Sequence, residues 1–516
     1  MLKKEAKRAR PSHRPILCAS LFFCLLLSNS LFSQETVPDI KVTLSARNRS
    51  INNLLDQLTL QTGYYFTYNS ALISGKSRIS LDVEDLPLNE VLKQMIGLDF
   101  SYRVVDRNIV IFKRNTQAPT PLSGEIERPM LHGRVVDARS GKGLPFASIT
   151  LHGSSLGSIS NQTGHFSFKL PASLPDPMLM VSFMGYETML IPVAYPLGEA
   201  MLIRLKKKAI PIQEVIIRYT DPAHILEEAL LRLPQNYLNE ASSMTAFYRE
   251  SVRRNDHCMV YSEAVLDVAK GAYNETRPDR VRIHKGRKIT DYSQADTVVI
   301  KLRSGIYTSL NLDIIKNLPD FLEEGLLDRY DLEFTDLMTY GDKLVYVIHF
   351  KQKEQISDLL FQGKLYIDQA RLAIVAADFE FNPNLLHRHP EFFLVSRSAH
   401  LHIRPVFARY HVDYRLAGSR YHISQVRAQL EMKVRRRRQW IGARYGIAIE
   451  MAITDVKPGE KRRIEAGERV RANTVLADQF FDFDPGFWGI YNVIEPEASL
   501  SESIKSIQQL LQESRE

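Results

Sequence analysis

Gly363-Lys-Leu-Tyr-Ile-Asp-Gln-Ala-Arg-Leu-Ala-Ile-Val-Ala-Ala-Asp-Phe-Glu-Phe381 is the stretch that decides the fold of the longest part of this 516-residue chain. Two runs with alternating or β-branched content, Gly363 to Asp368 and Ala373 to Phe381, flank a short polar break, the pattern of a β-hairpin. Working outward, Met244 to Val252, Cys258 to Val268, Asp296 to Leu302 and Leu344 to Lys351 precede it with the same character. Ala408 to Arg415, Arg420 to Lys433 and Ala443 to Thr454 continue it. Asp221-Pro-Ala-His-Ile-Leu-Glu-Glu-Ala-Leu-Leu-Arg-Leu233 opens the region as a helix capped by Asp221, with Pro222 in its first turn and Ile225, Ala229 and Leu230 on one face. Leu310 to Leu327 reads as a helical interlude and Ser501 to Gln512 as a terminal helix. A long antiparallel sheet with few helices must close on itself or cover one apolar face. The expectation for residues 221–516 is therefore a mainly antiparallel β domain, half-barrel-like, with a few helices.

The Gly363 hairpin resembles that of periplasmic lipoprotein-carrier half-barrels, whose inner face shelters acyl chains. Upstream, Leu131-His-Gly-Arg-Val-Val-Asp137, Ser140-Gly-Lys-Gly143 and Leu144-Pro-Phe-Ala-Ser-Ile-Thr-Leu151 read as strand, tight turn, strand. Gly157 to Leu170 repeats that logic through Asn161-Gln-Thr-Gly-His-Phe166, Met178 to Met184 is an apolar strand, and Met201 to Leu205 closes the set. Gly133, Val135, Asp137, Gly143, Pro145, Ala147, Asn161, Thr163, Gly164, Phe166 and the Ser182-Phe-Met-Gly-Tyr186 block resemble the carboxypeptidase-regulatory-like domain. That resemblance implies a transthyretin-like β-sandwich over 130–207, a spacer or binding platform that supplies neither zinc nor base. Ile212-Gln-Glu-Val-Ile-Ile217 resembles the segment that leads from this domain into the plug of TonB-dependent transporters. A 22-stranded barrel, however, needs about 220 residues in strands alone, before its plug and loops. Too little chain follows, so an outer-membrane transporter is rejected.

Ahead of the sandwich a helix is written twice. Ile51, Leu54, Leu55 and Leu58 recur as Leu88, Val91, Leu92 and Met95, each set spaced i, i+3, i+4, i+7. Ser50 and Asp85 read as N-caps, and Gly63 and Gly97 as C-terminal stops. Short strands flank both helices at Lys41 to Leu44, Tyr64 to Tyr68, Ile79 to Val83, Phe100 to Val105 and Asn108 to Phe112, so two strand-helix-strand units are expected to share one small sheet. Residues 38–114 resemble the secretin and TonB short N-terminal domain, which implies a small duplicated α+β module that docks onto envelope proteins. A Pro, Thr and Ser linker, 115–129, separates it from the sandwich.

Lys3, Lys4, Lys7, Arg8, Arg10 and Arg14 lead into the apolar run Ile16 to Phe32, the layout of a secretory signal ending near Ser33. An uncleaved anchor is the alternative. Without residues 1–33 the net charge falls from +8 to +3, so the basic balance belongs mostly to the signal and does not argue for nucleic acid. Cys18 and Cys24 leave with it, and Cys258, read as a buried strand residue, has no internal disulfide partner. With 44% apolar and 24% charged residues, the chain can build about three domains.

Chemistry is sparse. His224-Ile-Leu-Glu227 has the spacing of a zinc carboxypeptidase ligand pair, but no later His sits in a partner motif, and a helix start explains both residues. His387, His389, His400, His402, His411 and His422 cluster in sequence, and His400 with His402 share a strand face that can chelate. The plainer reading is scattered surface histidines. No GxSxG, CxxC, P-loop or GxGxxG occurs, so no cofactor or nucleotide is expected. Arg435, Arg436, Arg437 and Arg438 run almost into Trp440, a cluster suited to phosphate groups of anionic lipid or, more simply, to guarding a sheet edge. In Phe247-Tyr-Arg-Glu250 the charges are expected to pair with neighbours.

The preferred functional expectation is a non-enzymatic periplasmic adaptor or receptor-like protein at the outer membrane that binds envelope proteins. The alternatives are a lipid or lipoprotein carrier working through the last domain and, below it, a metallohydrolase.

Overall fold

The computed structural model describes residues 40–496, apart from 63, 69–77, 98–99, 106–107, 114–128, 172–173, 194–199, 209–220, 256, 291–304, 324, 394–400, 437–441, 472–475 and 477–490. Two compact units emerge, one over the N-terminal strands and helices up to Arg114 and one over the rest.

In the first unit, β1 (Lys41–Ser50) and β3 (Arg78–Pro87) pair antiparallel, while β2 (Tyr65–Tyr68), β5 (Asn108–Lys113) and β4 (Phe100–Val105) form a second sheet. The single shared sheet expected from the repeat is thus two sheets. Helices α1 (Ile51–Thr62) and α2 (Leu88–Ile96) fall on the expected residues. Ile51, Leu54, Leu55 and Leu58 are buried on one, Leu88, Val91, Leu92 and Met95 on the other, as the i, i+3, i+4, i+7 spacing requires. Asp85 is not the cap: Pro87 occupies that position, and Asp85 sits at positive φ in a strand bulge with its carboxylate on Lys41, 2.6 Å away. Gly97 does end α2 at φ 82, a conformation that costs a residue without Cβ little. Gly63 lies outside the described residues.

The second unit opens with a sandwich. A four-stranded sheet, in the order β11 (Met189–Pro192), β10 (Met178–Ser182), β7 (Ser148–Leu151), β8 (Gly157–Ile159), faces a three-stranded one, β12 (Met201–Leu205), β6 (Met130–Asp137), β9 (His165–Lys169). Val135, Ile149, Phe166, Phe168, Leu179, Val181 and Leu205 fill the space between them. Gly133 lies against this core, where a Cβ would stand 2.6 Å from the Phe166 ring. Asp137 ties its turn by accepting from the Ser140 amide (2.6 Å), the Ser140 hydroxyl (2.7 Å) and the Tyr186 hydroxyl (3.0 Å). Those donors hold its carboxyl down at about 2, despite partial burial.

The rest is one ten-stranded antiparallel sheet in the order β15 (Arg280–Thr290), β14 (His257–Lys270), β13 (Ser242–Arg254), β22 (Ala443–Pro458), β21 (Arg420–Arg436), β20 (Leu401–Ala417), β19 (Ile374–Phe381), β18 (Phe361–Asp368), β17 (Lys343–Gln352), β16 (Tyr330–Tyr340). It is open, with β15 and β16 as its edges. Helices α3 (Pro222–Leu231), α4 (Leu233–Asn236) and α5 (Gly305–Asn311), with the chain through Leu322, cover one face; α6 (Pro383–Leu386) follows β19. Asp221 caps α3 as expected, accepting from the Ala223 amide at 3.0 Å.

Three edge strands escaped the sequence reading: β11 of the sandwich, and β15 and β16 of the large sheet. In β15, Val281 and Ile283 alternate with Arg280 and Arg282, so basic residues mask the pattern. In β16 a bulge between Phe334 and Asp336 breaks the alternation. The helical interlude expected at 310–327 is not there: α5 ends at Asn311, overlapping it by two residues, and the described residues that follow hold isolated 3-10 turns at Asp320–Leu322 and Leu327–Arg329. Cys258 is only half-buried. The strand expected at 296–302 and the terminal helix at 501–512 lie outside the described residues, and no described helix is long and apolar enough to cross a membrane.

Candidate functional site

The covered, inner face of the large sheet is apolar almost throughout. Tyr248, Leu266, Ile348, Leu365, Phe379, Val412, Val426 and Met451 meet Ile225 and Leu226 of α3, Ile306 and Leu310 of α5, and Ile314, Ile315, Phe321 and Leu322 beyond it. A buried charge cluster anchors that cover. Lys270 lies 2.6 Å from both Asp279 and Asp313, and Tyr414 donates to Asp313 at 2.8 Å. Burial disfavours the Lys270 charge, but the two carboxylates outweigh it and raise its pKa.

Along β20–β22 the apolar face continues beyond these helices. Met432, Val434, Tyr445 and Ile447 form a second cluster with half-buried Val252, Leu401, Ile403, Leu430, Ala443 and Ile449. Phe393 packs on this cluster from outside the sheet, and Ile449 belongs to both clusters. Strand β21 then runs to Arg435, which is exposed and opposite His402, and to half-buried Arg436, opposite Leu401. Exposed Lys433, Arg404 and Arg444 stand at the same end. Arg437, Arg438 and Trp440 of the expected anionic-lipid cluster lie outside the described residues.

The outer face carries charge. Arg249 donates to Glu263 at 2.7 and 3.0 Å and to Glu450 at 3.4 Å. Arg287 and Tyr261 also bind Glu263, at 2.5 and 2.6 Å. Burial works against the Glu263 charge, but Arg287 and Arg249 outweigh it and lower its pKa. Both charges of Phe247-Tyr-Arg-Glu250 meet neighbours, Arg249 across strands on the outer face and Glu250 the Tyr248 hydroxyl on the inner side at 2.7 Å. Arg249 also donates to the Ile494 carbonyl at 2.5 Å, and Val493 and Ile494 pack with Ile159 of the sandwich and Phe247. Segment 491–496 is thus clamped between sandwich and sheet, with Ser158 donating to the Val493 carbonyl at 3.1 Å and the Lys169 amide to Asn492 at 2.6 Å.

His411 and His422, expected among scattered surface histidines, belong to the sheet. His411 holds Asp378 at 2.6 Å through Nδ1 and Asp413 at 2.7 Å through Nε2. Burial and Arg427 oppose its charge; Asp413 and both hydrogen bonds outweigh them and raise its pKa, while the same contacts hold Asp378 at about 2 against its burial. His422 is fully buried, bonded through Nδ1 to the Ile423 carbonyl at 2.7 Å, and burial pushes its pKa down to about 3, with Arg415 adding to the effect. With both nitrogens on carboxylates, His411 has no lone pair to offer a metal. His224 and Glu227 are exposed on α3, His402 is exposed, His387 half-buried, and His389 meets Glu391 at 3.0 Å. His400 lies outside the described residues. No group of three or more metal-ligating side chains occurs among the described residues.

The sandwich geometry agrees with a match to a known family. Residues 131–217 match the CarboxypepD_reg-like domain. In that CarboxypepD_reg-like domain the resemblance read from Gly133, Asp137 and Tyr186 is confirmed. No curated protein matches the chain. Among solved structures, a LolA superfamily protein from Nitrosomonas europaea shares 11% identity at a TM-score of 0.21, covering 49% of this chain and 99% of that one. A DUF1329 family protein from Desulfovibrio piger shares 14% at 0.19, covering 45% and 94%. Lipovitellin, from a study of lipid-protein interactions, shares 7% at 0.24, covering 48% and 28%. Scores this low say nothing of ligand, so function rests on the geometry.

Proposed function

We propose that this chain is a non-enzymatic carrier of the cell envelope, whose ten-stranded sheet shelters an acyl chain of a lipid or lipoprotein against its inner face. One observation carries the reading: the apolar inner face continues past α3 to α5 through Leu430, Met432, Val434 and Ile447 and reaches Arg436, which shares that face at the end of β21 opposite Leu401. An acyl chain needs a long apolar bed, and its phosphate or carboxylate head needs guanidinium donors at one end. Ten twisted strands curl, which turns a flat face into a trough. Arg436 then meets the head group at that end of the bed. In this reading the sandwich and the N-terminal module dock the carrier to envelope proteins.

The adaptor reading is favoured by a different observation. Edge strand β11 exposes Met189 and Leu190, the latter by 50%, on a strand with one neighbour, as a partner-docking edge would.

Mass spectrometry of organic extracts from the purified protein lacking residues 1–33, with titration of a fluorescent fatty-acyl probe, separates the two. Copurifying acyl chains, and a probe affinity that falls about tenfold or more in Leu430→Glu with Ile403→Glu, support the carrier. A protein that yields no acyl chains and binds no probe is not a carrier, and the adaptor reading replaces it.

A further inference from the structure

At the β15 edge of the sheet, far along the order from the acyl-chain end of β20 and β21, a pocket of about 490 Å³ is lined by Arg282, His284, Gly467, Glu468 and Arg469. Its walls are built, not incidental. A bulge between Val265 and Leu266 on β14 leaves His284 as an extra residue in β15, and such bulges re-aim side chains. Here the effect is to bring His284 to the carboxylate that binds Arg282: Asp267 lies 2.8 Å from Arg282 and 3.6 Å from His284. The opposite wall is held by the Val470 amide, which donates to the Val281 carbonyl at 2.9 Å, and by Arg469, whose Nε donates to the Ile464 carbonyl at 3.2 Å.

The charge does not balance. Asp267 is nearly buried and already takes Arg282, Arg462 and His284. Half-buried Arg462 shares Asp267 with Arg282 and His284, and burial lowers its pKa. The other acid, Glu468, meets Arg282 at 2.9 Å while 46% exposed, and an exposed pair of this kind holds weakly. We propose that the pocket is a phosphate-binding site, taking a small phosphomonoester whose oxygens displace Glu468 from Arg282 and accept from Arg282 and Arg469. Guanidinium groups suit a phosphoryl group because their planar donors pair with two of its oxygens at once. The volume admits a sugar phosphate or one lipid head group, which share this chemistry.

Calorimetric titration of the full chain with glycerol 3-phosphate, and flotation with phosphatidic acid vesicles, tests the site. Arg282→Gln should weaken binding about tenfold, the worth of one charge-assisted hydrogen bond. Glu468→Gln should tighten it several-fold, a gain that misfolding does not produce. Binding of the soluble ester without vesicles assigns the site to a soluble metabolite; vesicle binding that follows the same two variants assigns it to a head group. No binding of either probe, or binding indifferent to both variants, overturns the proposal. Leu430→Glu, at the acyl-chain end, leaves the binding of glycerol 3-phosphate, which has no acyl chain, unchanged, so the site stands or falls independently of the carrier reading.

Discussion

His411 and His422 lie on neighbouring strands and titrate in opposite senses. His411, raised by its carboxylates, adds stability that is complete below its unfolded pKa near 6.5 and is lost as pH rises through its folded value. His422 has a folded pKa of about 3, so its contribution is present above the unfolded value near 6.5 and is lost as pH falls toward 3. The reason is geometric: its Nε2 is buried without a partner, so a proton there would place an unpaired charge beside Arg415. Chemical denaturation between pH 4 and 6.5 should show His422→Gln to be less acid-sensitive than the parent by about 1.4 kcal/mol per pH unit. An unchanged pH slope contradicts the assignment. Neither role was legible in the sequence, because a histidine count says nothing of which face of a strand each ring occupies.

Elements were legible where one face is apolar and the other polar. Helices α1, α2 and α3 lie where the 3.6-residue spacing put them, and β13, β14, β17 to β22 match the alternating runs, extended by a few residues. Edge strands β15 and β16 were missed because they carry charge or a bulge, the devices that keep an edge from pairing with other chains, and β11 because four residues are too few to show a period. Gly363, which opens the hairpin that led the sequence reading, shows what close packing of strands demands. A Cβ there would stand 2.7 Å from the Phe379 Cα and crowd the Asp378 carbonyl. Urea unfolding should find Gly363→Ala destabilised by about 1 to 3 kcal/mol, the usual cost of overpacking. Gly446→Ala, in β22, meets nothing within 4 Å and should be close to neutral; equal effects of the two would refute the packing argument.

At the scale of the second unit, the sandwich and the large sheet are joined through charge and a strap of main chain, not through an apolar interface alone. Arg249 bridges Glu263, Glu450 and the Ile494 carbonyl. Arg249→Met therefore removes the guanidinium that Glu263 shares with Arg287 and that reaches Glu450, at a cost of about 3 kcal/mol. Limited proteolysis should then cut sooner in segment 491–496, and Glu263→Gln added to Arg249→Met should recover part of the loss. A variant as stable and as resistant as the parent would show the bridge to be dispensable.

Periodicity and turn chemistry determined from the sequence alone that this chain holds a repeated amphipathic helix, a sandwich with Asp137 at its turn, and a long antiparallel sheet, because local backbone preference and one-sided burial leave their mark residue by residue. Only the tertiary structure decided what the faces of that sheet meet. The pairing of β13 with β22, distant in the chain, brings Arg249 to Glu450, and the bulge at His284 makes a pocket wall from an unremarked basic strand. Such meetings depend on register across strands far apart in sequence, and a one-residue slip would send every side chain to the other face.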